Sequence, residues 1–146
     1  MSILRLCLIL VFVLSGSLLN AGLTQEADLQ EQLRRTQQLI IDGKLLEARQ
    51  ELEGLAGTYP QDPRVHNLLG VIQAQTGDYK SAESSLIKAI DLYPRYTGAL
   101  LNLGRLYQEN LGGDQFAREK GIAIYTRLLG YEPENTEANF QIAILL

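Results

Sequence analysis

Apolar side chains recur at helical spacing in two successive segments near the middle of the chain. They are Val65, Leu68, Leu69 and Ile72 before the Gly77-Asp78 pair, and Leu86, Ala89 and Ile90 after it. Steps of three and four residues place such side chains on one face of an α-helix. Asp62 precedes the first segment as a possible N-cap, and Pro94 ends the second. The pattern predicts two amphipathic helices joined by a tight turn.

The same pattern returns at a fixed offset of 34 residues, the distance from Gly43 to Gly77. That offset also pairs Ala48 with Ala82, Leu52 with Leu86 and Pro60 with Pro94, and it carries Gly70 to Gly104. Because one helix pair cannot cover its own apolar faces, repeated pairs must stack. We therefore expect an all-α solenoid. Its repeats span about 29–62, 63–96 and 97–135, with a partial fourth at 136–146.

These copies resemble the tetratricopeptide repeat, whose pattern is W-x2-L-G-x2-Y, then A-x3-F, then P. The second copy has Leu69-Gly70, Ala82-x3-Leu86 and Pro94, and the third has Leu103-Gly104-x2-Tyr107, Gly121-x3-Tyr125 and Pro133. In the first copy Arg35-Thr36 replaces Leu-Gly. The third copy is five residues longer around ENLGGDQF, which is similar to the Sel1-like relatives of this repeat. The resemblance covers residues 29–146 and implies a right-handed solenoid of helix-turn-helix pairs.

The first 21 residues differ in character from the rest. Arg5 precedes an apolar run, Leu6 to Leu14, which a small-residue stretch, Ser15-Gly16-Ser17, follows. This is the layout of a secretory signal peptide. We expect a signal peptide at 1–21, a short linker at 22–28, and a periplasmic or secreted product. The alternative is an uncleaved segment that anchors the chain in a membrane.

The remaining composition favours binding over catalysis. The chain has 13 Lys and Arg against 17 Asp and Glu, and without Arg5 the balance is 12 − 17 = −5. Such a mildly acidic chain without basic runs predicts no nucleic-acid partner. His66, the only histidine, occupies the repeat's tryptophan position, so we expect it to pack in the core. No spacing indicates a catalytic group, a metal site, a cofactor or a small-molecule substrate.

The resemblance implies a partner site on the concave face, which the first helix of each pair lines. The candidate partner-binding residues are Arg34, Gln37, Arg64, Asn67, Val71, Asn102 and Arg105. The family's carboxylate clamp for chaperone C-termini is absent, because its positions carry Leu33, Gln37, Leu68, Gly98 and Asn102. We therefore expect a non-catalytic protein-interaction scaffold of the bacterial cell envelope, with a different protein or peptide partner. The alternative is the repeat portion of a larger protein whose enzymatic or membrane activity lies downstream.

The final segment, residues 136–146, opens like the first helix of a pair but ends in five apolar residues, Ile142 to Leu146. Terminal repeats of solenoids normally carry a polar outer face. We therefore expect this helix to be followed by further chain, or to meet a partner or a second copy of the protein.

Overall fold

The computed structural model describes residues 3–109 and 116–146, with side chains from Gly22 onward. Every regular element in these ranges is an α-helix, which confirms the predicted fold class for them. The helices are α1 (Ile3–Ile41), α2 (Leu45–Thr58), α3 (Pro63–Gln75), α4 (Tyr79–Leu92), α5 (Thr97–Glu109), α6 (Ala117–Leu129) and α7 (Thr136–Leu145). The chain forms two compact units, Met1–Gln38 and Leu39–Leu146.

The first unit is helical and belongs to α1. Residues 22–28, predicted to be a linker, lie inside this helix. They contain no proline, and the Asp28 carboxylate accepts a hydrogen bond of 2.5 Å from Gln32, one turn further along. Thr36, at the position where the repeat has glycine, is buried, and its hydroxyl donates to the Gln32 carbonyl at 2.8 Å. The signal peptide at 1–21 stays a prediction, because its side chains lie outside the described ones.

Two turns that lie 34 residues apart in the sequence have the same backbone geometry. Gly43 and Gly77 have φ angles of 74° and 84°, in the left-handed region that favours glycine. In both turns the residue after the glycine donates its N–H, at 2.8 Å, to the carbonyl five residues earlier. This hydrogen-bond pattern satisfies the last carbonyls of a helix. The first of these turns connects α1 to α2, and the second joins α3 and α4 into a hairpin.

Capping side chains define where α3 and α4 begin. The Asp62 carboxylate accepts from the Arg64 N–H at 2.9 Å, and Pro63 occupies the first helical position, as predicted. The Asp78 carboxylate accepts from the Ser81 N–H at 3.3 Å. Because Pro94 cannot continue a helix, α4 ends at Leu92.

The α3/α4 hairpin packs through its small residues. A Cβ atom placed on Gly70 would lie only 2.6 Å from Cγ of Leu86 and 3.2 Å from the carbonyl oxygen of Ala82. Leu86 and Ala82 are fully buried. Gly70 and Ala82, the small residues of the repeat motif, therefore lie where the two helices approach each other closely.

The α5/α6 hairpin packs in the same register. A Cβ atom on Gly104 would lie 2.5 Å from Cε1 of the buried Tyr125 ring, and one on Gly121 would lie 3.7 Å from the Gly104 carbonyl oxygen. Gly121 and Tyr125 thus hold the positions of Ala82 and Leu86, as the aligned third copy predicts. The insertion that suggested a Sel1-like loop falls largely on residues 110–115, outside the described residues, and stays a prediction.

Helix α7 packs one face against the core and exposes the other. Asn135 caps it by accepting from the Ala138 N–H at 3.0 Å. On the inner face Ala138 is buried, and Ile142 and Leu145 pack against the core of α4, α5 and α6. The exposed apolar side chains are Phe140, Ile144 and Leu146, with 62%, 55% and 82% of their surface accessible.

Candidate partner-binding groove

A groove of about 410 Å³ lies between α3 and α5, over the start of α4. We call it the α3–α5 groove. Its lining residues are Gly70, Val71, Ala74 and Gln75 of α3, Tyr79 and Leu86 of α4, and Asn102, Arg105, Leu106 and Glu109 of α5. The volume falls in the range of about 300–1,000 Å³ that is usual for ligand pockets. We call its apolar lining residues, Val71, Ala74, Leu86 and Leu106, the floor, and its amide and charged residues, Gln75, Asn102, Arg105 and Glu109, the rim.

Three of the seven candidate residues line this groove: Val71, Asn102 and Arg105. Arg64 and Asn67 lie on α3 but are not part of the lining. Arg34 and Gln37 belong to the first unit, where both are exposed and Arg34 forms an ion pair with Glu31 at 2.6 Å. Partner binding by all seven residues stays a prediction.

Asn67 was expected to meet a partner directly, but only 8% of its surface is accessible. Its side-chain oxygen accepts a hydrogen bond of 3.0 Å from Nδ2 of Asn102. The phenol of Tyr96 lies close to Asn67. Burial raises the pKa of that phenol, and the nearby Asp62 adds to the effect. Asn67 therefore holds Asn102 in place on the rim, while Asn102 itself is the more accessible amide.

Arg64 is occupied by the helix cap. Its guanidinium donates two forked hydrogen bonds to the Asp62 carboxylate, including one of 2.6 Å from Nη2 to Oδ2. Partial burial alone would raise the pKa of Asp62, but the side-chain and backbone hydrogen bonds from Arg64 lower it instead. A carboxylate partner would have to compete with Asp62 for this guanidinium.

Arg105 lies in the groove lining next to two carboxylates. Its Nη2 atom is 3.4 Å from Oε1 of Glu137 on α7, and Glu109 follows one turn later on α5. These three charges also act on the buried phenol of Tyr125. Burial raises the pKa of Tyr125 to about 12, and its hydroxyl donates to Oε1 of Gln108 at 3.4 Å. The charged rim therefore holds one cation and two anions.

Two aromatic residues lie near the ends of α3 and α4. His66, which we expected in the core, is only half-buried, and its Nε2 atom lies 2.9 Å from the Pro60 carbonyl oxygen, so it ties α3 to the preceding turn. Tyr93 is 52% exposed. It caps the end of α4, where its ring contacts Tyr96 at 6.2 Å between centroids.

Sequence reasoning missed two residues that shape the groove. They are Tyr79, which lines the groove, and Glu137, which contacts Arg105 of its lining. Both follow a turn closely, and such positions meet a groove only through the tertiary arrangement of several helices. A capping signal in the sequence fixes where each helix begins but not which neighbour its first turn faces.

In the part of the chain that the structure describes, no helix is both long and apolar enough to cross a membrane. Within the same residues, no group of three or more His, Cys, Asp or Glu side chains is arranged to hold a metal ion.

Helical hairpins that recur with one packing register, with a groove between the first helices of neighbouring pairs, define a helical-repeat protein. Residues 63–96, the α3/α4 pair with its flanking turns, match the sequence model of the tetratricopeptide repeat family. This match covers one repeat of the chain, and the solved structures described next are similar to a larger part of it. Among curated proteins, none matches the chain significantly.

Solved tetratricopeptide repeat structures share the fold. The first such domain of Spaghetti (RPAP3), bound to the HSP90 peptide SRMEEVD, is 22% identical, with a TM-score of 0.70 over 78% of this chain and 86% of that one. A tetratricopeptide repeat protein from Parabacteroides merdae is 26% identical, with a TM-score of 0.69 over 80% of this chain and 44% of that one. An O-GlcNAc transferase from Thermobaculum terrenum is 20% identical, with a TM-score of 0.68 over 80% and 22%. The chain thus spans less than half of the last two proteins.

Proposed function

We propose that this protein is a non-catalytic scaffold of the cell envelope that binds a peptide segment of another protein in the α3–α5 groove. The observation that carries the proposal is the groove itself, with an apolar floor and Asn102 at its rim. The Nδ2 atom of Asn102 donates a hydrogen bond to Asn67. The amide oxygen of Asn102 is then the atom that would accept from a peptide N–H. Tetratricopeptide repeats bind partners along such surfaces.

The domain of Spaghetti supports the general mode, since that domain, which has the same fold, binds an HSP90 peptide. An acidic peptide of that kind does not suit this chain. Leu33, Leu68 and Gly98 replace residues of the family's carboxylate clamp, and Arg64 is already paired with Asp62. The partner proposed here is therefore a protein segment of different chemistry.

Selection of a displayed random-peptide library on the full chain tests this function. Val71→Glu places a charge on the groove floor, and Ile87→Glu makes the same change on the exposed side of α4 as a matched control. We expect Val71→Glu to weaken the selected peptides by about tenfold or more and Ile87→Glu to leave them bound. Equal loss in both variants, or in neither, would remove the groove as the binding site.

The envelope location rests on the first 21 residues and is tested separately. We fuse to the end of the chain a reporter that folds only after export. This fusion should give an active reporter. Sequencing the N-terminus of that product distinguishes a cleaved signal peptide from a retained membrane anchor. An inactive reporter with the initial methionine still present would place the scaffold inside the cell.

The alternative is that the chain is the repeat portion of a larger protein with enzymatic or membrane activity elsewhere. The observation favouring it is that the chain spans only 44% and 22% of two of the solved proteins.

Helix α7 also exposes apolar side chains that a second copy could cover, which is the self-association predicted from sequence. Sedimentation of the wild type against Phe140→Glu over a range of concentrations tests this: a smaller species for the variant supports self-association, and identical profiles oppose it.

A further inference from the structure

We infer that the α3–α5 groove selects a peptide with one large apolar side chain flanked by lysine or arginine, and that it disfavours acidic peptides. This inference rests on the proposed function and specifies the partner of the same site. Two features of the groove carry it: the composition of its floor, and the balance of charge at the end formed by α5 and α7.

The floor favours an apolar anchor. Val71, Ala74 and Leu106 line it together with Leu86, and none of these side chains offers a hydrogen-bond donor or acceptor. Leu106 and Leu86 are already buried in the core, so the floor is fixed by packing rather than by a mobile loop. A branched or aromatic side chain would gain by leaving water here, whereas a polar one would lose its hydration without a partner.

The rim favours a basic flank. Among the lining residues that the structure describes, Arg105 is the only cation and Glu109 is the only anion. Glu137 adds a second anion through its 3.4 Å contact with Arg105, so these three groups carry a net charge of 1 − 2 = −1. Arg64, which lies on α3 outside the lining, is balanced by Asp62. A carboxylate placed near Arg105 would meet two like charges, while an ammonium or guanidinium group would be attracted to them.

The rim amides suit an extended peptide between these groups. Asn102 is held by Asn67 at 3.0 Å, and Gln75 stands on the neighbouring helix of the lining. Primary amides both donate and accept, which allows them to bond the N–H and C=O groups of an extended backbone without selecting its sequence. The apolar anchor and its charged flanks therefore supply the selectivity.

Three synthetic peptides test the inference: acetyl-SGKLKGS-amide, acetyl-SGQLQGS-amide and acetyl-SGELEGS-amide. Their affinities for the full chain are measured by amide NMR titration at low salt. We expect the lysine peptide to bind about fivefold more tightly than the glutamate peptide, with the glutamine peptide between them. This preference should shrink as salt is added, because the rim charges are exposed.

Charge-neutralising variants locate the effect. Glu109→Gln and Glu137→Gln should each reduce the preference for lysine by about twofold. Glu134→Gln makes the same change in net charge, but at an exposed residue outside the groove, and should leave the preference intact. An equal effect of Glu134→Gln would show that overall charge, and not the rim, is responsible, and would overturn the inference.

The outcomes separate this inference from the function on which it rests. If the glutamate peptide binds as tightly as the lysine peptide and Val71→Glu weakens both, the charge selectivity is wrong and the groove function stands. If none of the three peptides shifts the amides of α3 and α5 at millimolar concentration, both are wrong.

Discussion

In the α3/α4 hairpin Gly70 receives the side chain of Leu86, and Ala82 stands one turn before that leucine. In the α5/α6 hairpin Gly104 receives the larger ring of Tyr125, and the residue one turn before it is the smaller Gly121. We call Leu86 and Tyr125, the side chains that these glycines receive, the wedges of their hairpins. The comparison shows that the two hairpins share the register of this contact and differ in the size of the wedge that fills it.

The largest expected effect comes from truncating the two wedge side chains, Leu86 and Tyr125, to alanine. Tyr125→Ala should lower the free energy of unfolding by about 3–5 kcal/mol and Leu86→Ala by about 2–4 kcal/mol, because both side chains are fully buried and the ring leaves the larger cavity. Urea unfolding of the full chain measures both. Ile87→Ala, next to Leu86 but 39% exposed, is the control and should cost about 1 kcal/mol or less. A larger loss of unfolding free energy for Leu86→Ala than for Tyr125→Ala would contradict this expectation.

A methyl group added beneath the tyrosine ring should have the next largest effect. Gly104→Ala would bring Cβ to 2.5 Å from the Tyr125 ring, and we expect a net loss of about 1–3 kcal/mol despite the better helix propensity of alanine. Gly54→Ala in α2 is the matched control, since no atom lies within 4 Å of its added Cβ; it should gain about 0.5–1 kcal/mol.

The Tyr125→Ala background then isolates the contact between Gly104 and the ring. Once the ring is absent, Gly104→Ala should cost nothing further, so the two changes should be strongly non-additive. Additive losses would mean that something other than the ring limits the space at Gly104.

The small neighbour in the second hairpin should tolerate the same change. A Cβ on Gly121 would lie 3.4 Å from Leu145 and 3.7 Å from the Gly104 carbonyl, which are ordinary contact distances. Gly121→Ala recreates the alanine found at position 82 and should leave stability unchanged or raise it by up to about 1 kcal/mol. Thermal unfolding would oppose this account if Gly121→Ala proved as harmful as Gly104→Ala.

The smallest effect distinguishes the two wedges chemically. Burial raises the pKa of Tyr125 to about 12, above the ordinary value of 10.0, so the folded protein keeps this proton more firmly than the unfolded chain. The resulting stability is present below pH 10 and is lost as the pH rises from 10 towards 12. Tyr125→Phe should make the alkaline loss of stability shallower. An unchanged alkaline profile in this variant would show that Tyr125 ionises normally.

Much of the fold could be predicted because it depends on local signals. Glycine at 43 and 77, the cap at Asp62 and the small residues at 70 and 82 each specify a turn, a helix start or a close approach. The short linker predicted at 22–28 lies within α1, because its polar stretch lacks the proline or second glycine that would end a helix.

The candidate groove could be predicted only in part. The register of the repeat placed Val71, Asn102 and Arg105 on the inner side of their helices, and all three line the groove. The register could not reveal the hydrogen bonds of Asn67 with Asn102 and of Arg64 with Asp62, or the ion pair of Glu137 with Arg105. These pairings arise between elements or across a cap, so the periodicity of one helix does not contain them.

Photo-cross-linking tests the central claim most directly, because it reports where a bound peptide lies. The lysine-flanked peptide is made with a photoactivatable leucine at its centre, and the cross-linked residues of the full chain are identified by mass spectrometry. The account predicts cross-links at Val71, Ala74 and Leu106 on the floor of the α3–α5 groove, and their loss in Val71→Glu. Cross-links confined to α7 or to the turn after α4, with none in the groove, would contradict it.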